Sequence, residues 1–216
     1  MAALYPSLIS SDILNLQRTI ESLDPYCAGY HLDVMDYHFV PNLTWGPAFL
    51  HAIAKATTKK VWVHLMVDNP EMWVEKLDLP AGTLVTFHIE TTNEPERLIN
   101  LIQNKKWLAG IAMSPKTAIE ELFPFLGRIH QALVMSVQPG HSGQLFMPSA
   151  IDKVNRLAEY RKSNNLHFSI GIDGGVNKEN ISMLVKAGVD DFGIATAIFG
   201  QPDPVAALQE LNKLIE

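Results

Sequence analysis

Apolar, partly β-branched runs near 3–9, 29–35, 60–66, 83–89, 107–113, 129–136, 167–172 and 190–195 alternate with amphipathic segments near 12–23, 47–57, 70–78, 94–105, 117–125, 147–164, 177–187 and 203–215. This alternation constrains the fold more than any other feature. Strands joined by helix-length crossovers lie parallel. Eight such units within 216 residues are the count of a (β/α)8 barrel, at the short end of its range. Turn signals divide the units: Asn69-Pro70, Pro80-Ala81-Gly82, Glu94-Pro95, Gly188 and Pro202-Asp203-Pro204. The alternative is a doubly wound open sheet, which calls for a Gly-x-Gly-x-x-Gly turn after an early strand. The first such turn here is Ser10-Ser11-Asp12, and the barrel is favoured. No composition shift or low-complexity linker interrupts the pattern. Residues 1–216 therefore read as one α/β domain, a single (β/α)8 TIM barrel.

Composition narrows the function classes. The chain is 47% hydrophobic and 19% charged with a formal net charge of -6, and it has no Lys/Arg-rich run, which argues against a nucleic-acid surface. Its apolar stretches are strand-sized, too short to span a bilayer. The opening "MAALYPSLIS" lacks a basic start and reads as a first strand rather than a signal peptide. Cys27 is the single cysteine, so no internal disulfide forms and a reducing, cytoplasmic setting is expected.

The polar residues fall where a barrel does chemistry, at the carboxyl ends of strands. Side chains at i, i+2 and i+4 share one face of a strand. His31, Asp33 and Met35 then point into the barrel mouth if Leu32 and Val34 face the helices. His64 and Met66 repeat the spacing in "VWVHLMV", and His88 and Glu90 in "TFHIE". Met135 and Asp173 end the sixth and seventh strands. Taken singly, a strand histidine is more often a hydrogen-bonded core residue, an Asp before Gly-Gly a turn residue, and a strand methionine a gap-filler. Together, His31, Asp33, His64 and Asp173 make a donor set for Zn²⁺, Fe²⁺ or Mn²⁺ with positions left for a substrate; Co²⁺ suits the same ligands.

A phosphate signal is separate. In "IDGGVNKENI" the backbone N–H groups around Gly174 and Gly175, before a helix that Asn177 caps, can cradle an anion, or the pair is only a tight turn. "QPGHSGQ", 138–144, reads as a mobile loop that closes over a ligand or as a solvated connector. His38, His88 and Glu90 read equally as groups that tune the site from behind and as solvated residues at the mouth.

These residues resemble the ribulose-phosphate 3-epimerase family. The likeness runs through "PSLISSDI" (6–13), "HLDVMDYHFVPNLTWGP" (31–47), "VHLMVDNP" (63–70), "TFHIE" (86–90), "MSVQPGHSGQLF" (135–146), "GIDGGV" (171–176) and "ATAIFG" (195–200). It implies a (β/α)8 barrel with one divalent metal ion on His31, Asp33, His64 and Asp173. It implies that Asp33 and Asp173 exchange the proton. The substrate-facing set it implies is Ser7, Met35, His64, Met66, Met135, Gly140, Ser142, Gly143, Gly174, Gly175, Ala195 and Thr196. The expected activity is interconversion of D-ribulose 5-phosphate and D-xylulose 5-phosphate through an enediolate, by a protein that assembles as dimers or hexamers.

Three positions depart from the family pattern. Tyr37 stands where Asp-Gly-His-Phe has Gly, His141-Ser142 where the loop has Phe-Gly, and Ala195-Thr196 where the phosphate site has Gly-Ser. The first two bear on substrate preference. A six-carbon ketose phosphate such as D-allulose 6-phosphate is the alternative substrate, and a phosphosugar-binding barrel without catalysis is the alternative class. A decarboxylase of the same fold needs an Asp-x-Lys-x-x-Asp array, which this sequence lacks.

Overall fold

Alternate apolar positions give each strand one face toward helices and one toward a barrel axis. In the computed structural model, which describes residues 2–216, the strands are β1 (Ala3–Pro6), β2 (Gly29–Met35), β3 (Lys60–Met66), β4 (Leu84–His88), β5 (Leu108–Met113), β6 (Gln131–Met135), β7 (Ser169–Asp173) and β8 (Asp191–Ile194). The helices are α1 (Leu16–Leu23), α2 (Pro47–Ala56), α3 (Pro70–Lys76), α4 (Pro95–Asn104), α5 (Ser149–Ser163), α6 (Ile181–Ala187), α7 (Thr196–Phe199) and α8 (Pro204–Ile215). All pairings are parallel, in the order β1-β8-β7-β6-β5-β4-β3-β2. The seam between β1 and β2 closes through a bridge of Ser7 with His31 and the hydrogen bond from Ala28 N to Leu4 O at 3.0 Å. This is the expected (β/α)8 barrel.

Two apolar cores follow from the strand periodicity. Leu32, Val34, Val63, Leu65, Val85, Ile111 and Val134 pack outward against the helices. Inside the barrel, Tyr5, Trp62, Leu84, Ala112, Leu133 and Met135 form a separate cluster. Polar groups cross this interior as a satisfied chain. Trp62 Nε1 donates to Thr86 Oγ1 at 3.0 Å, and Gln131 Nε2 donates to Asp191 Oδ2 at 2.8 Å. Because Leu32 and Val34 face the helices, His31, Asp33 and Met35 face the axis, and the register sets Asp33 beside His64 and Met35 beside Met66. Caps start several helices: Asn69 accepts from Met72 N, and Asp203 from Val205 N and Ala206 N.

The elements differ from the sequence expectation at several places, and α7 is a short helix that no expected amphipathic segment covers. The segment 117–125 is not a helix but two 3₁₀ turns, Ile119–Glu121 and Phe123–Phe125. Pro124 has no N–H to give, and its ring would clash with the carbonyl four residues back in a continuous α-helix. The first strand ends at Pro6 and gives way to a 3₁₀ turn over Leu8–Ser10. Asn177 does not cap α6. Its Oδ1 accepts from Glu179 N in a local turn, and Asn180 is the residue that precedes the helix. A short polar side chain meets the N–H two residues on before a helix has begun.

Gly110 in β5 allows Thr86 to reach the axis, since a Cβ there would lie 2.3 Å from Thr86 Oγ1. Gly110→Ala is expected to destabilise the protein by about 1–3 kcal/mol through overpacking. Urea denaturation with an unchanged midpoint would contradict this packing.

Candidate active site

Asp33 sits at the centre of the mouth, 4% exposed. Its Oδ2 accepts from Ser7 Oγ at 2.5 Å and lies 3.4 Å from His31 Nδ1. Its Oδ1 lies 3.3 Å from His64 Nδ1, and that nitrogen is 3.6 Å from Asp173 Oδ2. His31, Asp33, His64 and Asp173 each offer a donor atom, all within 4.8 Å of one another. The four residues thus converge from β2, β3 and β7.

The donor set fits a divalent cation. His31 Nδ1, His31 Nε2 and His64 Nδ1 are buried without a hydrogen-bond partner, and an unsatisfied buried polar group costs about 1–3 kcal/mol. Two carboxylates face them. Gly193 of β8 keeps the place open, since a Cβ there would approach Asp173 Oδ1 and His31 Nδ1 to 3.3 Å each. Mixed nitrogen and carboxylate donors suit first-row transition ions.

The electrostatics agree with this arrangement. Burial alone would raise the Asp33 carboxyl, but the imidazoles of His31 and His64 hold it well below the usual carboxylate range. Burial opposes a charged His64, yet Asp173 and Asp33 overcome it and raise the imidazole to about 9. The cluster therefore draws positive charge into its centre.

Behind His64 the polar contacts continue. His64 Nε2 meets His88 Nε2 at 2.9 Å, and His88 Nδ1 meets Glu90 Oε2 at 3.1 Å. Glu90 Oε1 accepts from Ser114 N at 2.8 Å and from Thr117 Oγ1. His88 is fully buried; burial, reinforced by the neighbouring His64 and opposed by Glu90, lowers its imidazole to about 4. Burial pushes the Glu90 carboxyl up, but the hydrogen bonds from His88, Thr117 and Ser114 outweigh it and bring it down to about 2. His38 is different: its side chain is 72% exposed beside Asp36.

A cavity of about 310 Å³ opens in front of the carboxylates. Ser7, Asp33, Met35, Met66, Met135, Gly140, Ser142, Gly143, Asp173, Gly174, Gly175, Ala195 and Thr196 all line it. His64, expected among the substrate-facing groups, lies fully buried behind the aspartates and is not on the cavity wall. Gly174 and Gly175 turn the chain away from β7 with φ of 112° and 64°. Asn42 Nδ2 donates to Gly140 O at 2.8 Å and ties the loop after β2 to the loop after β6. Of the departures from the family pattern, His141 is on the wall, whereas Tyr37 is absent from it, 68% exposed and at φ 64°. Sequence reasoning did not single out Val137, Gln144, Gly193 and Gln201, which also line the cavity. A lone glycine inside β8 is the one signal that pointed there, since it marks close approach of other groups.

Fold and site together define a (β/α)8-barrel protein whose mouth carries a buried imidazole–carboxylate quartet suited to a divalent cation. The model of the ribulose-phosphate 3 epimerase family matches residues 3–199, and the chain belongs to that family. A ribulose-phosphate 3-epimerase of Methanocaldococcus jannaschii is 35% identical over 216 residues, covering 99% of this chain and 91% of that one. A relative in Oryza sativa subsp. japonica, named ribulose-phosphate 3-epimerase, cytoplasmic isoform, is 35% identical over 220 residues, covering 100% and 95%. Among solved structures, KGPDC from Streptococcus mutans superposes with a TM-score of 0.71 at 13% identity, over 100% of this chain and 97% of that one. At that identity the likeness is one of fold. No helix among the described residues is long and apolar enough to cross a membrane.

Glu90 makes stability depend on acid in a definite direction. Its folded carboxyl is depressed from 4.5 to about 2, so its contribution is complete above pH 4.5 and is lost as pH falls toward 2. Between pH 5 and pH 3 the unmodified protein should lose more stability in urea titrations than Glu90→Gln. Equal losses would show that Glu90 is not held in this way.

Proposed function

We propose that the protein is a metal-dependent ketose-phosphate 3-epimerase that interconverts D-ribulose 5-phosphate and D-xylulose 5-phosphate by proton exchange at C3. The observation that carries the reading is the convergence of two carboxylates from separate strands. Asp33 and Asp173 bring oxygens within 4.8 Å of each other on the wall of one cavity. Inversion beside a carbonyl removes a proton from one face and returns one to the other, and two fixed acid/base groups serve this better than one that must migrate. Asp33 takes or gives the proton on one face and Asp173 on the other, with roles exchanged by reaction direction.

His31, Asp33, His64 and Asp173 would hold the divalent ion, which would supply Lewis-acid stabilisation of the negative charge that develops as the C3 proton leaves. Ser7, donating to Asp33 Oδ2, orients that carboxylate. Met35, Met66 and Met135, each at most 2% exposed, give the cavity a soft apolar lining that keeps water from the enediolate. Backbone N–H groups at Gly174, Gly175, Ala195 and Thr196 receive the phosphate, with Ser142 and Gly143 closing from the opposite loop. The phosphosugar is the partner of the site. Assembly as a dimer or hexamer and a cytoplasmic location extend the family reading to this chain, the latter supported by the name of the rice relative.

Incubation with D-ribulose 5-phosphate in D₂O should yield D-xylulose 5-phosphate with deuterium at C3, followed by NMR. With the divalent ion supplied, no product and no C3 label would refute the assignment. Asp173→Asn should lower kcat by about 10²–10⁴-fold with an unchanged circular dichroism spectrum; retained turnover would remove Asp173 from the acid/base pair. Dialysis against a chelator should abolish turnover, and Zn²⁺, Mn²⁺, Fe²⁺ or Co²⁺ should restore it. Full activity in the dialysed protein would exclude the metal-dependent mechanism.

A further inference from the structure

Glu90, His88 and His64 form a line of three side chains from β3, β4 and the turn after β4, and nothing in the proposed reaction uses the first two. We propose that Glu90 and His88 are positioning residues that decide which nitrogen of His64 offers its lone pair to the cation, by imposing a direction on the hydrogen bonds between them. The inference rests on the reading of the quartet as a metal site.

The direction starts at a group that cannot reverse. Ser114 N–H can only donate, and it donates to Glu90 Oε1 at 2.8 Å, alongside the Thr117 hydroxyl. An ionised carboxylate only accepts. The contact of Glu90 Oε2 with His88 Nδ1 at 3.1 Å is therefore a donation from the imidazole. A neutral imidazole with its proton on Nδ1 accepts at Nε2. His64 Nε2, 2.9 Å away, must then donate. A neutral His64 with its proton on Nε2 has its lone pair on Nδ1, the nitrogen that lies between Asp33 Oδ1 and Asp173 Oδ2. The donors and acceptors fix the proton on His64 Nε2, and a bound cation takes the place of any proton on Nδ1.

The surroundings keep the line intact. The His64 and His88 rings stack at 5.1 Å with 21° between planes, and Phe39 packs on His88 at 4.8 Å. Both imidazoles are fully buried, so exchange of their partners with bulk water is blocked. Lys153 Nζ donates to Ser114 O and Thr117 O, at 2.9 and 2.7 Å, and holds the loop that anchors Glu90. A ligating histidine commonly has its other nitrogen fixed in this way, and losing the partner weakens metal binding by about 10–100-fold.

The order expected among variants is counterintuitive. In Glu90→Gln the amide oxygen stays with Ser114 N–H, and the amide NH₂ turns to His88 Nδ1. His88 must then carry its proton on Nε2, facing the N–H of His64. The conflict is relieved only when His64 moves its proton to Nδ1, where it cannot bind a cation. Glu90→Ala removes the anchor but leaves both rings free to choose. A packing role predicts that the isosteric Gln is the milder change; loss of charge alone predicts that the two are equal.

Zn²⁺ affinity of the full chain, measured by competition with a chromophoric chelator, should fall about 100-fold in Glu90→Gln and about 10-fold in Glu90→Ala, spanning the usual range for such partners. Thermal unfolding of the same variants should rank them the other way. Zn²⁺ affinity in the Gln variant equal to or above that of the Ala variant would overturn the proposal. Long-range ¹H–¹⁵N spectra of the unmodified Zn²⁺-loaded protein give a second readout, independent of any variant: His88 as the Nδ1–H form and His64 as the Nε2–H form. The opposite form at His88 would also overturn it. If the unmodified protein fails to bind Zn²⁺, the metal reading falls with it; if it binds and the variants do not differ, only the directional role is lost.

Discussion

The Asp33 carboxylate is the contact on which both the barrel and its mouth depend. A carboxylate this deeply buried carries a desolvation penalty of several kcal/mol, offset only by close, well-placed partners. Ser7, immediately after β1, supplies a hydroxyl, and His31 and His64 supply imidazoles from β2 and β3. The same neighbourhood closes the barrel, since Ser7 bridges to His31 across the seam between the first and second strands. Closure of the sheet and the charged cluster thus share Ser7 and His31. A chain that failed to bring Ser7 against Asp33 would lose one bridge of the seam and one of the three partners of the buried anion.

The charge is kept at one level of the barrel by what lies below it. Trp62, Leu84 and Leu133 fill the interior with apolar volume, and the Thr86–Gln131–Asp191 chain satisfies the few polar atoms there. Nothing beneath the mouth competes for the imidazoles. His31 in fact packs edge-on against Trp62 at 4.4 Å, with both ring nitrogens unpartnered. His64 has a chain of partners reaching to the loop after β5. The two imidazoles of the quartet are therefore held by different means, one by packing and one by hydrogen bonds. In the proposed reaction this division leaves the aspartates alone on the cavity wall, free to meet the substrate while the imidazoles stand behind them.

Much of this was legible from local pattern. The period of two in "YHLDVMD" assigned His31, Asp33 and Met35 to the axis, because parity along a strand is a covalent fact once the apolar residues choose their side. Eight alternations gave the topology, and strand ends gave the level of the site. The errors were equally local in origin. Segment 117–125 has the apolar spacing of a helix, but Pro124 breaks the hydrogen-bond ladder that spacing presumes. Asn177 has a capping side chain, but it closes a turn with Glu179 before α6 begins. His88 and Glu90 stayed ambiguous because an i, i+2 pair on a strand looks the same whether its neighbours are water or protein.

The order of the elements, the face each strand residue presents and the identity of the four converging donors are written along the chain, since backbone periodicity and side-chain chemistry are properties of a residue and its near neighbours. Which nitrogen of His64 meets the aspartates, and that His64 lies behind them, came from the folded arrangement alone. So did the room that Gly193 leaves beside His31, and the grip of Ser114 and Thr117 on Glu90. These depend on distances between residues 24 or more positions apart, which are set when the sheet closes and every buried donor must find an acceptor.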